Sequence, residues 1–145
     1  MQGIKIRKVH QRDLATVYEV ERLSFEDPYP PVFIDYLHHC NSKTFLVAER
    51  DGEICGYVIA TTQTDIGHIV SIAVIPSERR KGFGRGLITA VLNVLRNMGM
   101  NSVRLEVRRS NVNAQRFYEA LSFKYAHTVR GYYRSEDALV YFKFL

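Results

Sequence analysis

The sequence predicts an α+β fold: a mixed, mostly antiparallel sheet flanked by about four helices, in the order β-α-α-β-β-β-α-β-α-β-β. Three observations carry this expectation. Two β-rich apolar runs meet at Asp51-Gly52, the strongest short hairpin signal. A broad apolar helical stripe runs from Gly86 to Met98, and a second stripe at Ala114, Phe117, Tyr118 and Leu121 has ideal i, i+3, i+4, i+7 spacing. No repeat, low-complexity tract or linker intervenes, so residues 1–145 read as a single domain.

Taken in order, Ile4 to Val9 alternates Ile with Arg or Lys as a first strand. Asp13 is a candidate N-cap for a helix that carries Leu14, Val17, Val20 and Leu23. That helix must stop before Phe25-Glu26-Asp27-Pro28-Tyr29-Pro30-Pro31, because its prolines are incompatible with a helix interior. A short helix from about Val32 to Cys40 follows. Thr44 to Arg50 and Glu53 to Thr61 are apolar almost throughout, which predicts a sheet covered on both faces. His68 to Ile75 is a strand stopped by Pro76. In the next helix Leu87, Val91, Val94 and Met98 form the stripe, widened by Ile88, Leu92 and Leu95 as in a helix laid on a sheet. Ser102 to Val107, Tyr125 to Arg130 and Ala138 to Phe144 supply the remaining strands.

Composition narrows the class. Hydrophobic residues are 46% and charged residues 24%, close to globular averages. The longest uncharged apolar stretches fall far short of a membrane span of about 20 residues, and the N-terminal segment lacks the apolar core of a signal peptide. Cys40 and Cys55, both in apolar surroundings, give neither a disulfide framework nor metal spacing. His38-His39-Cys40 point about 100° apart on a helix, so no metal is expected. A soluble cytosolic protein is expected, with a net charge of +5 that suits an anionic ligand.

The segment Arg79-Arg80-Lys81-Gly82-Phe83-Gly84-Arg85-Gly86 is the most informative. It joins a buried strand to a strongly amphipathic helix. Its glycines let backbone N–H groups approach a ligand, and a helix N-terminus offers unpaired donors to a phosphate. A Walker A loop is excluded because GxxxxGK followed by Ser or Thr is absent. The dinucleotide fingerprint fails because Gly86 comes one residue early, and the preceding hairpin contradicts a βαβ start. A loop that uses its glycines only for turning is the plainer reading.

The run Arg79-x-x-Gly82-x-Gly84 between strand and helix resembles the acyl-CoA pyrophosphate motif of the GNAT superfamily of N-acetyltransferases. The run from Leu105-Glu106-Val107-Arg108 through Ser110-Asn111, Ala114, Phe117-Tyr118 and Leu121 to Phe123 is similar to RimI-type ribosomal-protein N-terminal acetyltransferases and their archaeal relatives. His68 to Ala73 and Gly131-Tyr132-Tyr133 with Glu136-Asp137 extend the likeness. The resemblance implies acetyl transfer from acetyl-CoA, the co-substrate, to a primary amine by direct attack in a ternary complex. It implies that backbone groups of Ile72, Ala73 and Val74 bond the pantetheine arm. The segment from Arg79 through Arg80, Lys81, Gly82, Phe83, Gly84 and Arg85 to Gly86 would hold the pyrophosphate, and Asn111 and Tyr118 would complete the cofactor site. The acceptor would be a protein or peptide N-terminus, a ribosomal protein among the options, with no membrane and no specific nucleic-acid binding. Acetylation of a lysine side chain or small amine is the alternative, and a non-enzymatic acyl-CoA or RNA module a third reading.

By the same resemblance Tyr118 is the general acid for the departing thiolate, although it also lies on an apolar stripe and reads equally as core. Glu106 falls at the proton-acceptor position. An ordinary glutamate against an ammonium near ~8 faces a mismatch of roughly 5 kcal/mol, so Glu106 is expected to act through ordered water or with a pKa raised by burial. His68 is the second candidate base, since a histidine titrates nearer neutrality. At pH 7 an α-amine is about a tenth neutral and a lysine only a few parts in ten thousand, which favours the α-amine where no strong base stands out. Tyr29, Tyr132 and Tyr133 are the expected substrate contacts, though packing or turn roles suit them equally.

Overall fold

Each buried stripe of the sequence finds its partner in one seven-stranded sheet. The computed structural model describes residues 3–145. In chain order its main elements are β1 (Ile4–Lys8), α1 (Leu14–Ser24), α2 (Pro31–Cys40), β2 (Phe45–Arg50), β3 (Glu53–Gln63), β4 (Ile66–Val74), α3 (Phe83–Asn97), β5 (Ser102–Arg108), α4 (Val112–Ala120), β6 (Lys124–Val129) and β7 (Ala138–Phe144). This is the expected order. The spatial order is β1-β2-β3-β4-β5-β7-β6, antiparallel at every seam except β4–β5.

The sheet is covered on both faces, which is why β2 and β3 show little polar alternation. On one face Leu87, Val91 and Leu95 of α3 meet Leu46, Val58 and Val103. On the other, Val17 and Val20 of α1 and Ile34 and Leu37 of α2 meet Phe45, Val47, Tyr57 and Ile59. The Asp51-Gly52 hairpin takes positive φ at both residues, 52° and 85°, as a tight two-residue turn requires.

Four local expectations need correcting. Helix α3 begins at Phe83 rather than Gly86, because Gly82 adopts the left-handed conformation (φ 90°) that lets the chain turn straight into the helix. Asp13 does not cap α1 with its side chain; its carboxylate accepts the His10 N–H at 2.7 Å and Arg7 at 2.8 Å. On α1 Leu23 is 54% exposed, while Glu21, on the side of the helix that carries Leu14 and Val17, is buried. Cys40 is exposed, while Cys55 is buried.

Arg7 joins β1 to the start of α1 through Asp13 and to β2 through Glu49 at 3.0 Å. The Arg7 hydrogen bond holds the Asp13 carboxyl below its ordinary range against the opposing effect of burial. This stabilisation is therefore complete above the unfolded-state value of ~3.9 and fades as pH falls through the lower folded-state value. Asp13→Asn is expected to cost about 2 kcal/mol at pH 7. In urea titrations its penalty should shrink between pH 5 and pH 2, where the wild-type protein itself loses the pair.

Candidate active site

The parallel seam between β4 and β5 is short. Ile66, Gly67 and His68 pair with Ser102, Val103 and Arg104, and beyond them the two strands separate. The wedge opens into a cavity of about 780 Å³. Its walls are Ile69 to Ile72 of β4, Leu105 to Arg108 of β5, Asn111, Ala114 and Tyr118 near and on α4, and two loops. The α1–α2 loop contributes Phe25, Asp27 and Tyr29, and the β6–β7 loop Tyr132, Tyr133 and Arg134.

Strand β4 offers the wedge a free backbone edge. The Ile75 N–H bonds the Cys55 carbonyl, and Tyr57 lies opposite Ala73 in the same register. Antiparallel alternation then directs the backbone groups of Ala73 into β3, and those of Ile72 and Val74 toward the opening. Of the three residues expected to bond a pantetheine arm, Ala73 is thus already paired.

At the end of β4 the Arg79 Nε donates to the Val74 carbonyl at 2.8 Å, tying the glycine-rich turn to the wedge. Arg80 takes a positive φ of 64°, uncommon for a residue with a side chain. The first helical bond of α3 runs from the Gly86 N–H to the Gly82 carbonyl at 3.0 Å. The N–H groups of Phe83, Gly84 and Arg85 therefore precede it without helical acceptors, at the positive end of the helix dipole. Gly86 is not such a donor. A Cβ there would stand 2.9 Å from Ile6, and one on Gly84 would stand 3.2 Å from the Phe117 ring, so both glycines permit close packing. The Phe83 side chain is core and Lys81 pairs with Glu78 at 3.2 Å.

Glu106 is the polar centre of the wedge. Its Oε1 meets His68 Nε2 at 2.7 Å and accepts from the Tyr132 hydroxyl at 3.4 Å, while its Oε2 accepts from Arg104 at 2.8 Å. Burial pushes the Glu106 carboxyl upward, but the His68 bond and the charge of Arg104 outweigh it and the net shift is downward. Of the two alternatives for Glu106, a carboxyl raised by burial is the one this downward shift opposes. Because an ionised carboxylate only accepts, His68 Nε2 carries the proton of this bond. The two candidate bases are one hydrogen-bonded pair, with Glu106 in the cavity wall.

Tyr118 is both core and wall. It packs edge-on against Phe117 and Phe123, with centroids at 5.1 Å and 5.6 Å, and lines the cavity. Burial raises its phenol well above the ordinary value, keeping it protonated. Asn111 caps α4, its Oδ1 accepting the Ala114 N–H at 3.1 Å. Tyr29, Tyr132 and Tyr133 all reach the same cavity, with Tyr132 and Tyr133 edge-to-face at 5.0 Å. The paired histidines lie elsewhere, on α2, where His38 packs edge-on against Phe45 at 6.0 Å.

The profile of the acetyltransferase (GNAT) family matches residues 14–123. The chain belongs to that family. It is 37% identical over 95% of its length to an uncharacterized N-acetyltransferase of Methanocaldococcus jannaschii, covering 90% of that protein. It is 34% identical over 92% of its length to an N-alpha-acetyltransferase of Sulfurisphaera tokodaii, covering 89% of it. Among solved structures it resembles Ard1 from Thermoplasma volcanium with a TM-score of 0.94 and 30% identity, over 99% of this chain and 98% of that one.

As a GNAT enzyme it is an acyltransferase that draws on acetyl-CoA. The residues present fit that co-substrate: unpaired N–H groups at the α3 N-terminus for a diphosphate, a free β4 edge for an amide-bearing arm, and a cavity ending at Glu106 and Tyr118. Two features of the GNAT site escaped sequence reasoning. Glu21 enters the cavity wall from α1, and Arg108 stacks on the Tyr133 ring at 4.1 Å from its centroid. The signal for Glu21 was its place next to Val20 on the edge of an apolar stripe. Replacing Gly82 by Ala forces a side chain into the left-handed region at about 1 kcal/mol and is expected to weaken CoA binding several-fold by calorimetry, with the melting temperature falling only slightly.

Proposed function

We propose that this GNAT enzyme transfers the acetyl group of acetyl-CoA to the N-terminal α-amine of proteins or peptides. The observation that carries the reading is the shape of the wedge. It ends at Glu106 and opens between two loops whose Tyr29 and Tyr132 keep 39% and 51% of their surface exposed, leaving a path for an extended chain. The identity to an N-alpha-acetyltransferase over nearly the whole chain supports it. The RimI-type resemblance makes ribosomal-protein N-termini the first to screen, and the cytoplasm the fitting place for the activity.

In this reading acetyl-CoA supplies an activated acyl group. The N–H groups of Phe83, Gly84 and Arg85 hold its diphosphate, with Arg80 and Lys81 adding charge, and the free edge of Ile72 with the Val74 N–H aligns its arm beside Asn111. Glu106, kept ionised, is a poor store for an ammonium proton but a good acceptor for an N–H. It orients the neutral fraction of the amine, directly or through water, and the released proton passes to the His68–Glu106 pair. Tyr118, kept protonated by burial, gives its proton to the departing thiolate. Tyr29, Tyr132 and Tyr133 line the path of the first residues.

Incubation with acetyl-CoA and short peptides tests the reading. Free N-termini are expected to be acetylated, and the same peptides with blocked N-termini and an internal lysine are not; lysine acetylation alone overturns it. Tyr118→Phe should lower kcat at least tenfold with CoA affinity unchanged.

The kcat/KM profile should rise with pH through the amine's own value near ~8 and show no alkaline decline below pH ~10, since Tyr118 stays protonated. Arg104→Met removes one of the charges holding Glu106 down and should leave that midpoint in place; a shift with the variant rather than with the peptide would assign the titration to Glu106.

A further inference from the structure

Glu21 is a buried carboxyl group without a role in the chemistry above. It is 2% exposed, and its side chain projects from α1 between the sheet and the α1–α2 loop. Its Oε1 accepts from the Tyr57 hydroxyl and from Ser71 Oγ, the latter at 3.2 Å, and the two hydroxyls lie 2.9 Å apart. Its Oε2 accepts the main-chain N–H of Tyr29 at 2.9 Å.

The sequence gives that last bond unusual weight. In Pro28-Tyr29-Pro30-Pro31 the three prolines have no N–H, so Tyr29 carries the sole main-chain donor of the stretch. Proline also fixes φ, so the segment is stiff and one anchor sets its direction. The anchor is itself braced: Tyr57 belongs to β3, and Ser71 lies between Val70 and Ile72, which line the wedge. Beyond it the Tyr29 ring packs on Phe33 at 4.9 Å and faces the cavity shared with Tyr132 and Glu106.

We propose that Glu21 is a positioning residue for the acceptor. Through the Tyr29 N–H it fixes the tyrosine wall of the cleft against β4 and so sets the affinity for the first residues of the incoming peptide. This rests on the N-terminal acetyltransferase reading.

The test combines steady-state kinetics with amide exchange. Glu21→Ala is expected to raise the peptide KM at least tenfold, with kcat within threefold and CoA affinity by calorimetry unchanged. Glu21→Gln should recover most of that loss, because its amide oxygen still accepts the Tyr29 N–H while its NH₂ donates to the hydroxyl oxygens. Replacing Tyr29 by its α-hydroxy analogue gives a backbone ester that deletes only the donor and should reproduce the alanine phenotype even if Glu21→Ala folds poorly. A peptide KM within twofold of wild type in the ester, or equal losses in the glutamine and alanine variants, overturns the proposal. Exchange of the Tyr29 amide, read without any peptide, is expected to be protected at least a hundredfold in the wild type and in Glu21→Gln. An unprotected Tyr29 amide overturns the pin whatever the substrate, whereas a protected amide with no peptide turnover in the wild type overturns the acetylation reading instead.

Discussion

The site exists because a seam between two parallel strands fails on schedule. β4 and β5 pair for three residues, from Ile66–Ser102 to His68–Arg104, and then diverge. A continued ladder would have matched the backbone groups of Ile72 and Val74 to β5 and left no space between the strands. Divergence instead leaves donors and acceptors facing a cavity, a cost the fold carries because a bound chain or water can satisfy them. The covered faces keep the gap from collapsing: α3 fills one side with Leu87, Val91 and Leu95, while α1 and β3 fill the other with Val17, Val20 and Tyr57.

The last paired residues also set the electrostatics. His68 and Arg104 stand opposite each other where the seam ends, and both reach Glu106, two residues further along β5. A carboxylate so close to a desolvated cavity would tend to neutralise, and burial does push it that way. The hydrogen bond from His68 and the charge of Arg104 reverse the balance. The outcome is a fixed hydrogen-bond acceptor with low basicity, suited to a substrate that supplies its own neutral fraction. An α-amine does so far better than a lysine, which is the chemical ground of the proposed reading.

Much of this was legible in the chain. The Asp51-Gly52 turn, the α3 stripe as far as Leu95 and the order of elements rest on local rules of two to seven residues and are found as expected, whereas Met98, expected to end the stripe, lies past the helix and is exposed. The glycine-rich turn was placed correctly, but its boundaries shifted by three residues because the left-handed state of Gly82 starts the helix early. Contacts between distant segments were not legible. Neither the pairing of Ala73 into β3 nor the close approach of Gly84 to Phe117 leaves a local pattern. Glu21 was hidden for a related reason. Between Val20 and Arg22 a helical periodicity reads it as the polar edge of a stripe, and only the approach of Tyr57, Ser71 and the proline-rich loop turns that edge into an interior.

The two loops around the opening are held with unequal strength. Arg108 reaches from β5 to Glu136 at 3.5 Å and to Asp27 at 3.9 Å, so it bridges the loops over the mouth of the wedge. The Asp27 side chain is 81% exposed, and an ion pair at that distance and exposure is worth at most about 1 kcal/mol. The inner attachments are stronger. Glu136 accepts both the N–H and the hydroxyl of Ser110, at 2.8 Å and 2.9 Å, beside the Asn111 cap, and Glu21 grips Tyr29 in a buried site where leaving a polar group unpaired costs about 1–3 kcal/mol. On the proposed reading an entering peptide would meet a rim that yields and walls that do not. The bridge at the mouth is the contact the peptide would displace, while Tyr29 would stay fixed through Glu21 to the sheet that carries Glu106.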